Sequence, residues 1–160
     1  MELTHARIKK FFIVLGSIFL ALIVLGAIGI AFIAVRGNAL DKESKTYADT
    51  AIPAILTTWS QKELMDRASP EFKKASPPDE LDRMFRWQFT TLGRLQKCAP
   101  LQGHATMSVT SESGKTISAQ YTSNGKFEKG EAIINLGLIK HGDQWQIRSV
   151  NVESPQFVPR

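Results

Sequence analysis

The stretch KTISAQYTSNGKFEKGEAIINLGLIKHGDQWQIRSVNVES, residues 115–154, decides how this chain folds. Its apolar residues recur every second position, the period of a half-buried strand: Ile117, Ala119 and Tyr121, then Phe127. Between them Ser123-Asn124-Gly125 interrupts the alternation and predicts a bulge. A strand over 131–140 is apolar on both faces. His141-Gly142-Asp143 then makes a tight turn into a last strand, QWQIRSVNVES. Just upstream, HATMSVTS sets Ala105, Met107 and Val109 against His104, Thr106 and Ser108, again at period two. The expectation is an antiparallel meander of about four strands.

Toward the amino terminus the period changes to 3.6 residues. Tyr47, Ala51, Ala54, Ile55 and Thr58 share one helical face, and Pro53 forces a kink or an early turn. SQKE at 60–63 has the form of a capping box and starts a short helix. Ser69-Pro70 and Ser76-Pro77 each pair a cap with a proline suited to the first helical position. The second pair opens the strongest helix, 78–92, which Gly93 closes. Leu81, Met84, Phe85, Gln88, Phe89 and Leu92 make its core stripe, and Arg83, Arg86 and Thr90 face the other way. Asp79–Arg83 and Asp82–Arg86 are ion-pair spacings on that polar side. Helices followed by a meander define an α+β layer fold.

Further upstream, FFIVLGSIFLALIVLGAIGIAFIAV fills positions 11–35 without a charge. As a helix it would extend about 37 Å, enough to cross a hydrocarbon core of about 30 Å. A cleavable signal peptide has a shorter apolar region ending in a small-x-small site, which Ala31-Phe32-Ile33-Ala34 does not supply. An uncleaved transmembrane anchor is therefore expected. Arg7, Lys9 and Lys10 before the run balance Arg36, Lys42 and Lys45 after it. The leading charges sit beside the amino terminus and the trailing ones are diluted by Asp41 and Glu43, which favours a cytoplasmic amino terminus. The organisation expected is a cytoplasmic tail at 1–10, a span at 11–35, a linker at 36–43, an extracytoplasmic domain at 44–155 and a tail at 156–160.

The chain has 160 residues and a net charge of +5. Arg7, Lys9, Lys10 and Arg36 flank the apolar run, and beyond it acids and bases are nearly balanced. The basic balance is thus membrane-flanking charge on top of a mixed surface, and a nucleic-acid partner is not expected.

The order of elements, together with Tyr121, Phe127, Gly130, Glu131, Ala132, Leu136, Leu138 and the run Gly142-Asp143-Gln144-Trp145-Gln146-Ile147, resembles the nuclear-transport-factor-two-like, or cystatin-like, superfamily. That resemblance covers residues 41–155 and implies helices packed in the concave face of a strongly curved sheet, a cone with a pocket at its open end. Tyr121, Ile134, Leu136 and Leu138 are the pocket candidates. The fold hosts enzymes, transport factors and assembly modules, so it fixes no function. A short tail, one span and one such domain is also similar in architecture to inner-membrane assembly subunits of type IV secretion machines.

Catalysis in this superfamily draws on pocket Asp, His and Tyr residues. Here the strands offer Tyr121 on an apolar side, His104 on a polar side and His141 in a turn, which does not complete a base, an orienting group and an oxyanion donor. No catalytic residue and no cofactor are expected. Cys98, the only cysteine, lies six residues from His104 without a second cluster, so no metal site is expected. It sits in RLQKCAPLQG, 94–103, the joint between the last helix and the sheet, where Pro100 argues for an irregular edge or a loop. Packing is its simplest role, and a disulfide between two anchored copies is the alternative.

What remains is association. Trp87 with Arg83 and Arg86 forms an aromatic and guanidinium set of the kind enriched at interface hot spots, with packing on the flank of the helix as the alternative for Trp87. Ser17-x-x-x-Ala21 and Ala27-x-x-x-Ala31 permit close helix approach within the span. Trp59 and Trp145 read as core. The expected function is a membrane-anchored binding or assembly module of a bacterial envelope complex, its partner an envelope protein or a second copy. A cone that binds a lipid, peptide or cell-wall fragment is the alternative.

Overall fold

The computed structural model describes the backbone of residues 2–110 and 114–157, with side chains described at 20, 22–28, 37–109 and 114–157. The element order is α1 (Glu2–Leu56), α2 (Gln61–Arg67), α3 (Pro70–Ala75), α4 (Pro78–Leu92), β1 (Leu95–Cys98), β2 (Gln102–Thr110), β3 (Gly114–Phe127), β4 (Glu131–His141), β5 (Gln144–Glu153) and a final 3₁₀ turn, Pro155–Phe157. The chain divides into two units, Met1–Ala39 and Leu40–Arg160. Positions 36–43, expected as a linker, fall within α1.

In the first unit, Leu20, Leu22, Ile23, Val24, Leu25 and Ile28 are each about half or more exposed. At 100° per residue these positions distribute around the whole helix. Among the described residues no helix is long and apolar enough to cross a membrane. The 11–35 run expected to do so lies for the most part outside the residues whose side chains are described, as do Ser17, Ala21 and Ala31 of the small-residue spacings.

The second unit is α+β, and its sheet holds five antiparallel strands where about four were expected. β1 and β2 lie end to end along one edge of β3, followed by β4 and then β5 at the far edge. The short β1, in the segment holding Cys98 that was expected to start the sheet, pairs with the end of β3 that β2 does not reach. Ala99-Pro100-Leu101 separates the two, as expected of a proline that cannot donate to a ladder.

The interruption at Ser123-Asn124-Gly125 is not a bulge. β3 stays in register with β4 from Ile117 to Lys126, and its buried positions continue as Ala119, Tyr121, Ser123, Gly125 and Phe127. Ser123 goes inward because its hydroxyl donates to Ala99 O at 2.7 Å. Gly125 goes inward because space is short: a Cβ there would lie 2.7 Å from Ile134 Cδ1 and 2.9 Å from Phe127 Cε2. The irregularities are elsewhere, in β1 between Leu95 and Lys97 and in the β4–β5 pairing at Gly137/Leu138.

The helices follow their caps in part. Ser60 Oγ accepts from the Glu63 N–H at 3.2 Å. The other half of the capping box does not form, because the Ser60 N–H bonds Ile55 O and the Glu63 carboxylate pairs with Arg67. Ser69 caps α3, accepting from Phe72 N–H at 3.3 Å. Ser76 does not cap α4: it ends α3, and Pro77 precedes α4 without a side-chain cap. Gly93 closes α4 with φ +74 and donates its N–H to Phe89 O.

The core gathers Ala48, Ala51, Ile52, Ile55 and Leu56 of α1 against Tyr121, Ile134, Leu136, Leu138 and Ile147 of the sheet. The α4 stripe is narrower than expected: Leu81, Phe85, Gln88 and Leu92 are buried, whereas Met84 and Phe89 at its margins are 40% exposed. Trp59 is core as expected, stacked on Phe127 and edge-on to Phe85, its indole N–H donating to Gly93 O at 2.8 Å.

Candidate functional site

The four pocket candidates sit in the core. Tyr121, Ile134, Leu136 and Leu138 are buried to within 2% beneath the helices, so this part of the sheet face is filled core. The Tyr121 hydroxyl is bonded to Ser44 Oγ at 2.7 Å and donates to Asp41 O at 3.2 Å, while Asp41 Oδ1 accepts from the Ala105 N–H. Burial pushes the Tyr121 phenol above its ordinary pKa, with the Ser44 hydrogen bond working against it.

A solvent-facing cleft of about 940 Å³ opens elsewhere on the second unit. One wall is a face of α1, where Lys42, Thr46 and Thr50 recur at four-residue spacing beside Glu43 and Tyr47. The other wall is the start of β5, Gln144, Trp145 and Gln146, with Asp143 of the preceding turn; Asp66 and Arg67 close the cleft from the end of α2. Gly142, at φ +59, takes the first central position of the two-residue hairpin turn.

The charges around this cleft are mostly tied. Lys140, its side chain only 11% exposed, reaches Glu43 Oε2 at 2.6 Å and lies 5.7 Å from the centre of the Trp145 ring. The Lys140 hydrogen bond holds the Glu43 carboxyl below the usual carboxylate range. The Trp145 Nε1 beside them is buried without a hydrogen-bond partner among the described residues. Lys62 does the same for Asp66 at 2.5 Å, and Arg67 pairs with Glu63. Tyr47, half-buried, donates to Arg67 O at 3.4 Å, and burial raises its phenol pKa.

The interface candidates lie on α4. Trp87 is 49% exposed, with its ring 4.7 Å from that of Phe157 at a 39° tilt, so it both packs on the flank and presents surface. Arg86 pairs with Asp82 at 2.8 Å, and Arg83 is exposed. Cys98 ends β1, half-buried, with Sγ 3.1 Å from Ser123 Oγ. His104 is exposed on β2, and His141 contacts Gln146 Oε1 at 2.9 Å and Glu71 at 3.4 Å. Among the described residues no group of His, Cys, Asp and Glu is placed to hold a metal ion.

Residues 40–157 thus define an α+β domain with a filled core and an open polar cleft beside its last strand. No protein family, curated protein or solved structure matches the chain.

Proposed function

We propose that this chain is a single-pass membrane protein that carries its α+β domain, a cystatin-like cone, on the outer side of a bacterial cytoplasmic membrane and acts by binding or assembly rather than catalysis. The observation that carries the reading is the exposed apolar surface around α1 at Leu20, Leu22, Ile23, Val24, Leu25 and Ile28. A helix apolar on every side needs a surrounding apolar phase, and lipid supplies one. Binding is favoured by the cleft chemistry: Glu43 and Asp66 are held ionised and Tyr47 protonated at neutral pH, which suits recognition more than proton transfer. The partner is an envelope protein or a second copy.

Alkaline carbonate extraction of membranes tests the anchor. The full chain stays in the pellet, and a variant lacking 11–35 moves to the soluble fraction. Release of the full chain by carbonate would remove the anchor. A photo-crosslinking residue at Thr46 tests binding in cells; absence of any adduct there and at Trp87 would remove the binding reading.

A further inference from the structure

β5 is an edge strand, and the parity of its hydrogen bonds can be followed from the turn. His141↔Gln144 closes the hairpin across Gly142 and Asp143. The closing pair of a two-residue hairpin exchanges both main-chain hydrogen bonds, and bonded and non-bonded pairs then alternate. The next pair, Lys140↔Trp145, is therefore non-bonded. The Trp145 N–H and C=O point away from β4, in the sheet plane, while its side chain is buried.

Ile147 has the same parity, and its outward groups are in use. Its C=O accepts from the Ser69 N–H at 2.8 Å, and Ala68 and Ile147 form a parallel bridge. The chain thus adds one residue of extended strand to this edge and then leaves it, because residues up to Arg67 coil into α2. Two positions along, about 6.8 Å away, the Trp145 main chain has no partner among the described residues. Asp66 and Arg67 beside that bridge line the same cleft as Gln144, Trp145 and Gln146, so the cleft runs along the free edge.

We propose that the cleft receives an extended peptide segment of a partner protein, which pairs with the β5 edge at Trp145 as Ala68 and Ser69 pair with it at Ile147. This names the partner class for the binding-module reading and rests on that reading. Strand addition of this kind takes affinity from main-chain hydrogen bonds and specificity from the flanking walls. Here the walls offer the hydroxyls of Thr46, Tyr47 and Thr50 and the amides of Gln144 and Gln146. With Glu43, Asp66 and Arg67 already paired, Lys42 and Asp143 are the lining charges left to meet charged side chains of the segment.

The test uses the full chain in detergent micelles, a phage-displayed library of random dodecapeptides as probe, and hydrogen exchange at single amides. In the free protein the Trp145 amide exchanges fast while those of Gln144 and Gln146 are protected. An enriched peptide slows Trp145 exchange at least tenfold, and N-methylation at one residue of that peptide weakens binding at least tenfold. Thr46→Trp, which fills the cleft from exposed α1 and leaves the sequence of β5 unchanged, abolishes it. No enriched peptide, or one that binds with Trp145 exchange unchanged, overturns the proposal. Soluble cell-wall oligosaccharides form a parallel arm: if they protect Trp145 and peptides do not, the peptide assignment falls while the binding-module reading stands.

Discussion

The Tyr121 hydroxyl on β3 lies 2.7 Å from Ser44 Oγ on α1, a buried contact between residues 77 apart in sequence. It ties the helix to the sheet, and Leu40 O, 2.7 Å from Ser44 Oγ, and Asp41 O, 3.2 Å from the Tyr121 hydroxyl, are the neighbouring acceptors among which the pair's two protons are shared. Tyr121→Phe and Ser44→Ala should each cost about 1–2 kcal/mol, the range for a buried hydrogen bond. The double variant should cost less than the sum, because the two share one interaction. Guanidinium unfolding followed by tryptophan fluorescence measures all three; strict additivity would mean the contact does not couple helix to sheet. The raised Tyr121 pKa adds a sign: the unfolded chain loses that proton first, so stability falls as pH rises past about 10. Tyr121→Phe should flatten that fall.

Gly125 is inward-facing and hemmed in by Ile134, Phe127 and Leu95. Gly125→Val should destabilise by about 1–3 kcal/mol through overpacking, although valine favours strands. A thermal melt decides the matter, and a raised melting temperature would show that the packing there is loose.

That position also marks where sequence reading stops. Gly93, Ser69 and the 78–92 helix were legible because caps and periodicity act within a few residues. Ser123 and Gly125 look like a bulge in the sequence because hydropathy reports polarity, whereas burial there is decided by a distant acceptor, Ala99 O, and by the bulk of Ile134. Ser76 carries the right cap chemistry but is spent ending α3. The alternation places Tyr121 on the inward face of β3, where it lies, but does not show its buried bond to Ser44 on α1. The cleft had no motif at all. Its only early sign was the two-residue turn at Gly142-Asp143, whose parity turns the Trp145 main chain outward once β5 is known to be an edge.

Glu43 should titrate below the ordinary glutamate value of about 4.3, because the ammonium of Lys140 bonds its ionised form. A lowered folded pKa means that this pair's stabilisation is present above the ordinary value and is lost as pH falls through the folded one. Lys140→Met keeps the length of the side chain and removes the charge, so the Glu43 midpoint should rise toward the ordinary value. Carboxyl carbon NMR reads both titrations; identical curves would show that Lys140 does not hold Glu43.

Cys98 offers a test of topology. With Sγ against Ser123 Oγ and the residue half-buried, it should react with a membrane-impermeant maleimide slowly in the folded protein and much faster after denaturation. In intact spheroplasts labelling should occur without lysis if the domain lies outside the cytoplasm. Labelling that requires lysis would place the domain inside.

Trp87 packs on Phe157 yet keeps half its surface exposed, so stability and association can be separated. Trp87→Ser and Phe157→Ala both break the ring contact and should each cost about 1 kcal/mol, within the range for an aromatic pair. Only the first removes the indole beside Arg83 and Arg86. If that face meets a partner, Trp87→Ser should lower recovery of crosslinked partner from membranes several-fold while Phe157→Ala leaves it unchanged. Equal losses would trace the effect to stability, and no loss in either would remove the α4 face as an interface.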